Sequence, residues 1–140
     1  MKKLLILIAV LVLIATSTSV AYAGTNSKVA YTWTVADLGQ GAWGGGPLFA
    51  DGSAGGHIAI SLLNGQLIFL LEPTTWSVVE GGTAVDVCFN LHEIKGDSGY
   101  PPSYCLSDEG VVVPISGTPI IVPVPESPSS YTLFRVTPAN

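Results

Sequence analysis

Residues 24–140 predict an all-β domain: a single antiparallel β-sandwich of about eight or nine short strands, with a small barrel as the alternative architecture. Three observations carry the prediction. Apolar residues recur at every second position in several short segments, the period of a strand with one covered face. Sixteen glycines and ten prolines fall between those segments as turn punctuation. Outside the first 23 residues no window shows the 3.6-residue stripe of an amphipathic helix.

In chain order, Val29, Tyr31, Trp33 and Val35 share one face of the first strand, while Lys28, Ala30, Thr32 and Thr34 take the other. Gly39 to Gly56 is rich in glycine and reads as a flexible segment crossing the surface or one end of the sheets. Ile58, Ile60 and Leu62 then alternate with His57, Ala59 and Ser61. Asn64-Gly65 separates this run from Leu67 to Leu71, and the pair suits a two-residue hairpin turn with left-handed backbone. Leu67 to Leu71 is apolar without alternation, as in a central strand covered on both faces. Val85, Val87, Phe89 and Leu91 alternate with Asp86, Cys88, Asn90 and His92. Val111 to Ile115, Ile120 to Val124 and Tyr131 to Thr137 read as the last strands. Pro119, Pro123 and Pro125 cannot donate to a ladder, which places the segment between them at a sheet edge with Ile120, Val122 and Val124 inward.

Residues 1–23 read as a cleavable export signal. Lys2 and Lys3 precede the unbroken apolar run Leu4 to Ala15, and Ala21-Tyr22-Ala23 offers small residues at the first and third places before Gly24. Twelve helical residues cover about 18 Å, well short of a hydrocarbon core about 30 Å thick. The expected product is a secreted or periplasmic chain with no membrane span. Ten acidic residues then face only Lys28, Lys95 and Arg135, so the exported part lacks the basic footprint that nucleic acid or an anionic membrane requires.

Cys88 and Cys105 are the only cysteines, and an even count in an exported chain reads as a disulfide. The period of two puts Cys88 opposite Val87 and Phe89, so the bridge should pin the insert Lys95 to Tyr104 over the outer face of its strand. His57 and His92 also fall on outward faces, without metal-ligand spacing, and no metal or cofactor is expected. The elbow G-x-S-x-G is absent, and the carboxylates are scattered through turns. Gly44-Gly45-Gly46 and Gly55-Gly56 lack the lysine and following helix of a phosphate loop. Asp51-Gly52-Ser53 lacks the regular acidic ligands of a calcium loop. The reading is therefore a non-enzymatic binding or structural module, with carbohydrate recognition and, further off, a small hydrolase as alternatives. Its candidate binding residues are Trp43, Trp76, Tyr100 and Tyr104, aromatics that the sequence places in turn-rich segments where flat rings can stack on a glycan or anchor a protein.

Overall fold

A computed structural model describes residues 27–37, 41–126 and 132–139. The expected export signal and its cleavage site at Gly24 lie outside these residues. Nine strands follow one another: β1 (Val29–Asp37), β2 (Ala42–Phe49), β3 (His57–Ser61), β4 (Leu67–Val79), β5 (Ala84–Glu93), β6 (Ser103–Cys105), β7 (Val113–Pro114), β8 (Ile120–Ile121) and β9 (Thr132–Pro138). Short 3-10 turns at Glu80–Gly82 and Leu106–Glu109 are the only helical elements among the described residues.

All nine strands belong to one antiparallel sheet in the order β6-β5-β4-β3-β2-β1-β9-β8, with β7 added to β5 beyond the reach of β6. The sheet is curled into a half-barrel, a geometry consistent with either expected architecture. Its curl is visible in the side chains. Phe134 on β9 stacks on Trp33 of β1 at 5.5 Å and meets Phe89 of β5 edge-on at 6.2 Å, although four strands separate β5 from β9 in the sheet. The concave face is the core, lined by the alternating residues the sequence marks as inward: Trp33 and Val35, Ile58 and Ile60, Val85, Val87 and Phe89, Phe134 and Val136. Trp33 is fully buried, and its indole N–H donates to the Gly55 carbonyl at 3.0 Å, which removes the cost of sinking a donor in the core.

Four local expectations are corrected. Residues 42–49 do not cross the surface as a loop; they form β2, paired with both β1 and β3. The glycines serve close approach instead of mobility, since a Cβ on Gly44 would fall on the His57 carbonyl and one on Gly46 on the Gly55 carbonyl. The β3–β4 hairpin is present, but its loop is Leu63-Asn64-Gly65 and not a two-residue turn. Gly65 donates back to the Leu62 carbonyl, and within the loop the left-handed backbone is confined to Gly65, at φ 88°. β4 is not covered on both faces, since Leu70 stands half-buried on the convex side of the single sheet, and it continues past Glu72 and Pro73 to Val79, absorbing the proline at an irregularity between Pro73 and Thr75. The segments 111–115 and 120–124 contribute only two paired residues each. The edge placement holds, because β8 is the last strand of the sheet, with Val122 buried beside it.

Candidate functional site

Because directly paired residues of an antiparallel sheet project from the same face, the register defines rows across the sheet. One row on the convex face runs through seven neighbouring strands. Ile121 pairs with Leu133, Leu133 with Ala36, Ala36 with Trp43, Trp43 with Ala59, Ala59 with Leu70, and Leu70 with His92. Six steps of about 4.8 Å make this strip roughly 29 Å long. All of it is apolar until His92. Ile121 is 56% exposed and Trp43 49% exposed, whereas Ala59 is buried beneath its neighbours.

Trp43 stands at the centre of this strip with an alanine on each flank and Gly45 next along its own face. The indole is open on its Ala36 and Gly45 sides, where no side chain exceeds a methyl group, while on the other flank Ala59 is itself covered. The row beside the strip is polar: Arg135 pairs with Thr34, Thr34 with Gly45, and Gly45 with His57. Where β1 ends and β2 begins, Ala36, Asp37, Ala42 and Trp43 also line a shallow cavity of about 370 Å³. The Asp37 carboxylate there is buried.

The other sequence candidates divide. Trp76 lies inside β4, half-buried; its indole N–H donates to the Phe49 carbonyl at 2.8 Å and its ring meets Tyr31 edge-on at 5.6 Å. Those contacts make it a packing residue. Tyr104 belongs to β6 and is buried against Phe89 and Tyr100. Burial, with the nearby Tyr100 and Glu109, pushes its hydroxyl well above the ordinary tyrosine range. Only Tyr100 sits on a loop, half-buried, with its hydroxyl raised first by desolvation and then by the Glu109 charge. The structure does not gather these aromatics at one surface: Trp43 belongs to the convex strip, and Tyr100 lines a separate cavity with Leu91, Glu93 and Pro102. Missed from the sequence were the partners of Trp43 in the strip, each contributed by a different strand. Ile121 was the one member whose exposure an edge assignment could have signalled.

Cys88 and Cys105 are disulfide-bonded, as expected, and stand opposite each other where β5 pairs with β6; the insert they fasten does not lie over the outer face of β5, because Tyr104 and Tyr100 pack onto the core beside Phe89. Among the described residues, the one convergence of three metal-type donors is Asp86 with these two sulfurs, which are already bonded to each other. His92 meets Glu72 at 2.8 Å on the outer face. His57, on β3, is exposed on the same face. Asp51 turns its Oδ1 onto the Ser53 hydroxyl and amide, which together hold its carboxyl below the usual range. No helix of the described residues is long and apolar enough to cross a membrane. Comparison with protein-family models, with curated proteins and with solved structures gave no match.

Proposed function

We propose that the chain is an exported, non-enzymatic binding module that receives a glycan on the Trp43 strip of its convex face. The observation that carries this reading is the indole of Trp43, half-exposed in mid-sheet and flanked by Ala36, Ala59 and Gly45. Exposing so large an apolar ring forgoes about 1.5–3 kcal/mol of burial, a cost that a ligand offsets. A flat clearing beside an indole suits the apolar face of a pyranose ring. The adjacent row of Thr34, His57 and Arg135 supplies the few polar groups that orient hydroxyls. A disulfide and the absence of a spanning helix among the described residues are compatible with export.

The exposed Ile121 at the edge-strand end of the strip favours a second reading, in which the same face docks a protein. A glycan array probed with residues 24–140 separates the two. The glycan reading expects binding that Trp43→Ala weakens at least tenfold while the melting temperature stays within a degree or two of the parent. Ile121→Ser should leave that binding intact. Full glycan binding by Trp43→Ala would overturn the reading, as would a melting temperature many degrees lower. Absence of binding to any glycan by the parent chain would transfer the face to a protein partner.

A further inference from the structure

The concave face ends in a charge. Val85, Val87, Phe89 and Leu91 alternate inward along β5, and the next residue of that series is Glu93, which pairs with Phe69 of the buried face of β4. Its carboxylate therefore sits at the mouth of the half-barrel, not on the convex side where Glu72 and His92 lie. The disulfide-fastened insert folds back over this mouth. Glu93 Oε2 accepts the Ser98 amide and hydroxyl, both at 2.8 Å. The Ser98 hydroxyl in turn accepts the Tyr100 amide at 3.0 Å, and Asp97 accepts the Gly99 amide at 3.0 Å. At the other end of the insert, the Leu91 amide donates to the Pro102 carbonyl at 2.8 Å. Two anchor points and a disulfide thus hold Tyr100 and Pro102 in place before any ligand arrives.

Leu91, Tyr100, Pro102 and Glu93 enclose a cavity of about 330 Å³, within the range of small-ligand sites. Three walls are apolar or aromatic and the fourth is a carboxylate. The Tyr100 ring is fixed by its 5.1 Å contact with Tyr104. Among the described residues the one ion pair is His92 with Glu72, so no described cation lies within ion-pair distance of Glu93. The insert and the turn after it carry Asp97, Asp108 and Glu109 against Lys95 alone, which gives this end of the molecule a negative field. An aromatic face beside a carboxylate attracts an alkylammonium twice, through the ring quadrupole and through the charge. Anions are repelled by the same groups.

We infer that the cavity between Tyr100 and Glu93 is a second binding site, independent of the Trp43 strip, that takes a primary alkylammonium group of the size of a lysine side chain. The probe is Nα-acetyl-lysine methylamide, titrated into isotopically labelled protein and followed by NMR. Nα-acetyl-norleucine methylamide, of matching shape but uncharged, is the comparison. The lysine probe should shift the amides of Leu91, Glu93 and residues 98–102 with saturation in the millimolar range, and the norleucine probe should bind at least tenfold more weakly. Glu93→Gln keeps an acceptor for Ser98 and so keeps the insert in place, yet it should abolish the preference for the charged probe. Tyr100→Phe should retain binding and Tyr100→Leu should lose most of it, which decides the matter should Glu93→Gln fold poorly. Equal binding of the two probes, no shift at these amides, or an undiminished preference in Glu93→Gln or Tyr100→Leu would overturn the assignment.

Discussion

Tyr104 packs its ring between Phe89 and Tyr100, while its hydroxyl is buried with no hydrogen-bond partner among the described residues. A buried hydroxyl without a partner costs about 1–3 kcal/mol. Tyr104→Phe keeps the ring contacts and removes that cost, so it should raise the urea midpoint, by about 1 kcal/mol in stability. The hydroxyl also imposes a pH limit. Its folded pKa lies above the ordinary 10.0, so the stability linked to its proton is complete below pH 10 and falls as the pH rises beyond it. Tyr104→Phe should unfold less readily than the parent above that pH. A lowered midpoint at neutral pH would show instead that the hydroxyl is bonded. From the sequence, Tyr104 was a candidate binding residue because it adjoins a turn-rich insert; pairing of Cys88 with Cys105 is what carries it into the sheet, against Phe89. Trp43 is a sequence candidate because of its neighbouring glycines; its half-exposure in mid-sheet and its alanine flanks follow only from the pairing of β2 with β1 and β3.

At the scale of the element, the glycine run of β2 shows why a correct composition yielded a wrong segment. Glycine is usually read as a break because it weakens a strand, yet it is also the residue that lets two backbones approach closely. Gly44, Gly46 and Gly56 do the latter, with Gly56 at φ 94° and each lacking space for a methyl group where β2 crosses the start of β3. Gly44→Ala would set its Cβ on the His57 carbonyl and 2.8 Å from the Ile58 Cα, both backbone atoms that cannot swing aside. The expected loss is at least about 1–3 kcal/mol, the usual range for overpacking. Gly65→Asn is the comparison, since that site is open and asparagine tolerates its left-handed backbone; its loss should stay below about 1 kcal/mol. Urea denaturation of both variants checks the order. Loss of stability by Gly65→Asn alone would return residues 44–46 to the status of a loop. Period-two segments such as β1 and β5 were legible because burial of one face imposes the alternation, whereas in β3 Ala59 and Ser61 are buried as well and Leu62 is exposed. β7 and β8 were overextended because Val111 to Ile115 and Ile120 to Val124 supply apolar content without enough backbone partners.

For the whole molecule, alternation says which side of a strand is buried but not which strands are neighbours. β1 pairs with β9 more than a hundred residues away, as in the 3.1 Å contact of the Thr32 and Thr137 hydroxyls. Both the concave core and the convex strip are assembled by such pairings, so neither was visible as a unit in the sequence. The curl gives a test that adjacent residues can settle. Phe134 and Leu133 are neighbours on β9, but Phe134 enters the concavity to meet Trp33 and Phe89, while Leu133 faces the convex strip between Ala36 and Ile121. Truncating a buried Phe costs about 3–5 kcal/mol, a large share of the roughly 5–15 kcal/mol that holds a domain together. Phe134→Ala should therefore lower the melting temperature by more than ten degrees or prevent folding at 37 °C. Leu133→Ala, half-buried on the open face, should cost about 1 kcal/mol or less. Because the two positions share a strand, propensity and chain location cannot explain a difference between them. Comparable losses would mean that the two faces of β9 are covered alike, which a sheet curled around a single concave core does not allow.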